Sequence, residues 1–217
     1  MSLSATHIRF ALNIKNEYKV KNINDYLAGT IYPDSRYVTK IDRELTHYDE
    51  LLDLNFCKND FKKGWHVHFL CDAVNHEITD HSFRELYQNE YNGCYNEEKW
   101  IIFTAIKIIR DIEDFKKINI NDHLELFDVI KNPNGEKPDD IKKYNDIIKK
   151  IYIDKKEMTI DDACEGWLSL GVEKNLVDKI KVSTHKLHKD KRLTKRIYDF
   201  YDKIIIEYPK IIKKYNE

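Results

Sequence analysis

The chain is poor in turn-forming residues, with 6 glycines and 4 prolines among 217 residues. A fold of many short strands needs such residues at each reversal, so their scarcity argues against a sandwich, meander or barrel. Cysteines are few and scattered. Cys57, Cys71, Cys94 and Cys164 form no CxxC pair, which rules out a Cys-type zinc ribbon and leaves no disulfide framework. They read as reduced thiols. Nothing near the start reads as a signal peptide, so the expected location is cytoplasmic. Long apolar runs are lacking too. Stretches such as Ile101-Ile102-Phe103 and Ile204-Ile205-Ile206 fall far short of the ~20 residues of a membrane-spanning helix. There is no Walker-type loop, no Gly-rich dinucleotide loop and no Gly-x-Ser-x-Gly elbow, so the motif-bearing nucleotide-binding and serine-hydrolase classes find no support.

Charge of one sign is lacking overall: 37 Lys and Arg balance 38 Asp and Glu, for a net charge of −1. No nucleic-acid coat is indicated. The distribution is uneven, however. Residues 1–100 carry 12 basic and 16 acidic side chains, net −4, and residues 171–217 carry 13 and 7, net +6. The basic end could attract an anionic partner, with Lys189, Lys191 and Arg192 as its foremost charges, or it is simply a solvated helix face.

What is abundant is apolar residues at helical spacing. Ile and Tyr favour strands locally, but the spacing carries more weight. His7, Phe10, Ala11 and Ile14 share one side of a first helix that Ser4 can cap. A short helix through Ile23–Ala28 is expected to stop at Gly29, and the segment 30–36 reads as an ordered loop because Pro33 opposes a helix. Helical turns fit Ile41, Leu45, Leu51 and Leu52, and a longer helix fits Phe61, Trp65, His68 and Asp72. After Asn92-Gly93, the run from Trp100 to Ile112 is apolar enough to be a central helix. A turn at Asn132-Pro133-Asn134-Gly135 precedes helices at 139–153, 160–170, 173–188 and 192–215, the second with a Thr159/Asp162 capping pattern. The expectation is an all-α, single-domain multi-helix bundle over residues 1–217.

The chemistry-bearing residues crowd into the first half. Five of the nine histidines lie between His47 and His81, and His7 adds a sixth. His68 and Asp72 are four apart, which puts both on one helix face, about 5–6 Å apart at Cβ, within reach of one divalent ion. His76 continues that stripe, and His66 turns to another face. His81 and Glu85 repeat the spacing. Imidazole and carboxylate donors suit Zn²⁺ or another first-row ion such as Fe, Mn or Ni. The same pairs also serve as ordinary helix hydrogen bonds or ion pairs. Asp34 follows a proline, where a carboxylate either points into a cleft or caps a turn. His47 follows Thr46 near Arg43. Trp65 and Phe69 belong to the core, with one of them free to line a pocket.

Taken in order, His7, then Gly29-Thr30-Ile31-Tyr32-Pro33-Asp34, then Arg43-Glu44-Leu45-Thr46-His47, then Gly64 with His68 and Asp72, resemble the zinc-dependent phospholipase C and nuclease superfamily over residues 7–85. The resemblance implies an all-helical fold with metals in a cleft. It implies Asp34, His47, His68 and Asp72 as ligands, with His7 standing in for the N-terminal ligand and His81/Glu85 for a downstream pair. Ile78 stands where that superfamily has a further histidine, so one or two ions are expected. No His-Asp dipeptide occurs, which argues against an HD-type phosphohydrolase.

The expected function is a metal-dependent phosphoesterase in which the ion acidifies a bound water to supply hydroxide. Asp34 is the bridging ligand or general base, and Arg36 and Arg43 clamp a small-molecule or lipid phosphate by paired donors. The rival readings are a non-catalytic helical protein with a structural metal site, and a module that binds an anionic partner through its basic C-terminal helices.

Overall fold

The computed structural model describes residues 4–86 and 97–216. Among them there are only helices and turns. The α-helices are α1 (Ser4–Ile14), α2 (Ile23–Ile31), α3 (Arg36–Thr39), α4 (Asp60–Ser82), α5 (Glu97–Phe115), α6 (Pro138–Tyr152), α7 (Ile160–Ser169), α8 (Lys174–Lys189), α9 (Lys191–Tyr198) and α10 (Phe200–Asn216). The all-α expectation holds.

Local chemistry sets many of the boundaries. Asn22 accepts hydrogen bonds from the amides of Asn24 and Asp25 to start α2, and Asn59 accepts from Lys62 to start α4. Thr159 and Asp162 form the reciprocal capping box expected for α7. The first turn of α1 is held from a distance: Thr6 N–H donates to Asp111 of α5 and Ala5 N–H donates to the Tyr152 hydroxyl of α6. One apolar cluster runs through these helices, from Ile8 and Phe10 through Val67, Leu70 and Val74 to Ile106, Ile109, Tyr144, Trp167, Ile180 and Ile204.

Three boundaries differ from the sequence expectation. Gly29 does not end α2; it lies inside it, where it faces Gly64 of α4. A Cβ on Gly29 would meet the Phe61 carbonyl oxygen at 1.9 Å, and one on Gly64 would meet that of Tyr26 at 1.8 Å. The two glycines let the backbones of α2 and α4 touch, and nothing larger fits. The segment 30–36 is no open loop. Helix α2 runs on to Ile31 and tightens into a 3₁₀ turn over Tyr32–Ser35. Pro33 falls in the first turn of that helix, where its missing N–H has no partner to lose. The helix expected over 192–215 breaks at Asp199 into α9 and α10. Asn92-Gly93 and Cys94 lie outside the described residues.

Candidate metal centre

Helix α4 carries the centre of the site. Its contact with α2 through the glycine pair seats His68 against the end of α2, where the His68 Nδ1–H donates to the Thr30 carbonyl at 2.8 Å. That turns Nε2 the other way, toward the cluster. One helical turn on, Asp72 lies 3.8 Å from His68 Nε2. From α1, His7 stacks on His68 with ring centroids 3.9 Å apart and places Nε2 3.7 Å from Asp72 Oδ1. The 3₁₀ turn after α2 supplies Asp34. His47 follows the short turn Arg43–Leu45, and its Nε2 lies 3.3 Å from that of His68 and 3.8 Å from Asp72 Oδ2. The Thr46 hydroxyl sits 2.8 Å from His47 Nδ1 and 3.1 Å from the Arg43 carbonyl. Donation of the hydroxyl proton to that carbonyl makes the oxygen an acceptor for Nδ1–H, and Nε2 faces the cluster.

Five side chains from distant stretches therefore meet. Two groups of three have ligand atoms all within 4.8 Å of one another: His7, His68 and Asp72, and Asp34, His47 and His68. His68 belongs to both, yet its Nδ1 is committed to Thr30, so its single remaining nitrogen serves one ion.

The cluster is buried and unsatisfied. His7, His47, His68 and Asp34 are all buried. Both ring nitrogens of His7, Asp34 Oδ1 and Asp72 Oδ1 have no hydrogen-bond partner among the described residues. Buried polar atoms without partners are rare and destabilising, and several converging on one point favour a ligand that is polar and electron-accepting. Burial, reinforced by the neighbouring His68, pushes the His47 imidazole down to about 2, and the same causes hold His7 well below its ordinary value. Both imidazoles are thus neutral, the form that binds metal. Burial raises the Asp34 carboxyl. Burial opposes ionisation of Asp72 as well, but its positive surroundings together outweigh it, the Lys107 ammonium 3.8 Å away foremost among them, and hold that carboxyl well below the usual range. Three imidazoles and two carboxylates form a donor set that fits Zn²⁺ or a similar first-row cation.

The cluster forms the floor of a cleft of about 780 Å³, lined by Asp34, His47 and Asp72 together with Arg36, Arg43, Phe69, Trp100, Lys107 and Lys214. Arg36 lies on the Tyr37 ring, 4.3 Å from its centroid, and donates Nη2–H to the Tyr37 hydroxyl at 2.6 Å, with Nε left unpartnered. Phe69 lines the cleft and Trp65 is buried, donating to the Thr46 carbonyl at 2.9 Å. His66, on another face of α4, hydrogen bonds Tyr18 and the Leu51 carbonyl.

His81 and Glu85 do not join the cluster. Helix α4 ends at Ser82, and Phe83 departs to φ −128°, ψ 18°. Glu85 therefore sits in a separate 3₁₀ turn, where it pairs with Arg196 of α9 at 2.6 Å. His81 is exposed beside Lys203 and Ile206, in a different groove. The four-residue spacing had no helix to act on. Conversely, Lys107 was hidden in the apolar run of α5. Its signal was a lone lysine within Ile101–Ile109, since a charge inside so apolar a helix needs a partner.

Comparison with protein-family profiles, with curated proteins and with solved structures finds no match for this chain.

Proposed function

We propose that this protein is a metal-dependent hydrolase that cleaves phosphoric esters, with a fold and ligand order of the zinc-dependent phospholipase C and nuclease type. The observation that carries the reading is the convergence of His7, Asp34, His47, His68 and Asp72 on the floor of an open cleft, with buried donor atoms lacking partners. A closed structural site would be walled in. Here Asp34, His47 and Asp72 all line the cleft, which favours a catalytic site with room for water and substrate.

His7, Asp34, His47, His68 and Asp72 would hold the cation. When bound, it supplies Lewis acidity, lowering the pKa of water and neutralising charge on phosphoryl oxygens. Asp34 is a buried carboxyl with Oδ1 free, placed either to ligate or to accept the proton of the attacking water. Arg36 and Arg43 at the cleft give paired N–H donors to phosphate oxygens. Thr30 and Thr46 orient the imidazoles without touching substrate. The substrate class is a small-molecule or lipid phosphoester. No helix among the described residues is long and apolar enough to cross a membrane. The free thiols of Cys57, Cys71 and Cys164 support a cytoplasmic location.

Elemental analysis of untreated protein tests this directly. About one first-row ion per chain is expected, lost in His68→Ala, because His68 is shared by both ligand groups. Hydrolysis of bis(p-nitrophenyl) phosphate should disappear with a chelator and return with Zn²⁺. Protein free of metal after growth with added zinc, or a His68→Ala variant that keeps both metal and activity, would overturn the reading.

A further inference from the structure

Lys107 projects from α5 into the cleft, 13% exposed, with Nζ 3.8 Å from Asp72 Oδ1. We propose that Lys107 is a substrate-binding residue that grips a phosphate oxygen beside the cation held by Asp72 and its imidazole neighbours; this rests on the phosphoesterase reading above.

Four observations point this way. The Lys107–Asp72 contact is beyond hydrogen-bond length, and Asp72 Oδ1 has no hydrogen-bond partner among the described residues, so the two do not form a closed ion pair. The Arg9–Asp114 pair nearby, at 2.6 Å, shows what a closed one looks like in this protein. No hydrogen bond to Lys107 is found among the described residues, and Asp72 is its one ion-pair partner there. Three N–H donors are therefore unspent in a sheltered place, where an acceptor-rich anion would satisfy them. The helix that carries Lys107 is anchored one turn later, where Arg110 bonds Asn75 and lies 3.7 Å from Asp114, so the ammonium is held on a rigid element. Finally, the cleft lining carries four basic side chains, Arg36, Arg43, Lys107 and Lys214, against four acidic ones, Asp34, Asp49, Asp72 and Glu77, so a bound divalent cation would leave it positive and set the sign of the ligand as anionic.

The test uses the full chain loaded with Zn²⁺ and inorganic phosphate as probe, with affinity measured by calorimetry and as inhibition of phosphodiester hydrolysis. Lys107→Met should keep zinc content and melting temperature and weaken phosphate binding about 10–100-fold, the range for one charge-assisted hydrogen bond. Lys107→Arg should recover most of it. Phosphate binding by Lys107→Met within twofold of the parent overturns the assignment. So does a loss of zinc in that variant, since Lys107 would then be organising Asp72 and not holding the ligand. If the parent binds zinc and phosphate but cleaves no ester, the hydrolase reading fails and the Lys107 assignment is still decided by the phosphate arm. A parent that takes up no zinc ends both.

Discussion

Two buried polar clusters lie side by side in this protein, and they are built in opposite ways. In the first, Thr6, Arg9, Asn75, Arg110, Asp111, Asp114 and Tyr152 are matched donor to acceptor. Asp114 accepts from Thr6 at 2.7 Å and from Arg9 at 2.6 Å, Asp111 accepts from the Thr6 amide and the Tyr152 hydroxyl, and Arg110 donates to Asn75. None of these residues has a buried polar side-chain atom without a partner. In the second, one residue further along α1 and one turn back on α4, the side chains of His7, Asp34 and Asp72 leave such atoms. Helices α1 and α4 contribute to both clusters, so neither burial nor sequence neighbourhood explains the contrast. A matched network locks helices together. An unmatched one costs stability, and its persistence is explained if a bound ligand completes it.

The largest effect should come from opening the matched cluster. Arg110→Met removes the cation that faces Asp114 and leaves two buried carboxyls, Asp111 and Asp114, with one fewer compensating charge. A loss of about 3–5 kcal/mol is expected on urea unfolding, as for other buried pairs stripped of one partner. A loss under about 1 kcal/mol would mean that the network is not what holds α1 to α5.

Acid–base behaviour separates the clusters next. Burial raises the Asp111 carboxyl to about 7, against hydrogen bonds from Thr6 and Tyr152 that lower it. Its folded-state pKa thus exceeds the unfolded 3.8. Between those values the unfolded chain releases a proton that the folded chain keeps, so stability falls as pH rises from about 4 to 7 and is level above. In metal-free protein His47, pushed down to about 2, contributes the reverse: the unfolded chain takes up a proton below 6.5 that the folded chain refuses, so stability falls as pH drops. The Asp111 part is isolated by difference. Unfolding of the parent minus that of Asp111→Asn, measured from pH 4 to 7, should decline by a few kcal/mol, about 1.4 kcal/mol per proton per pH unit. A flat difference would show Asp111 already ionised in the fold.

How much of this was legible beforehand follows the same division. Helical spacing and the scarcity of glycine and proline foretold the helices at 138–152, 160–169 and 174–189 to within a residue or so, because such patterns are local. The pairing of His68 with Asp72 was local too. Asp34, His47 and His7 share no local pattern and were grouped only through a resemblance in their order. Asp34 and His68 are brought together by two glycines whose meaning is a backbone contact between α2 and α4, and Gly29 by itself reads as a helix stop. His81 and Glu85 misled because no glycine or proline marks the end of α4 at Ser82. Lys107 escaped notice because a helix is first read by its apolar majority. The matched network escaped entirely: Thr6, Asn75, Arg110 and Asp111 are ordinary residues until the fold sets them face to face.

The smallest effect is also the sharpest, because it compares adjacent residues of α1. Thr6→Val keeps the shape of the side chain and removes a hydroxyl bonded to Asp114, so it should cost about 1–3 kcal/mol by leaving a buried acceptor short of a donor. His7→Leu removes an imidazole whose two nitrogens have no hydrogen-bond partner among the described residues. In metal-free protein it should leave stability unchanged or raise it by about 1 kcal/mol, since an unsatisfied group is exchanged for an apolar one. With Zn²⁺ the order changes. The parent should gain about 2.7 kcal/mol at a hundredfold excess over its dissociation constant. Thr6→Val should keep that gain, and His7→Leu should lose most of it. Thermal melts of three proteins with and without zinc decide the matter. A His7→Leu variant that is less stable than the parent without metal, or equally stabilised by it, would mean that the two clusters are one network and that the missing partners of His7 call for no ligand.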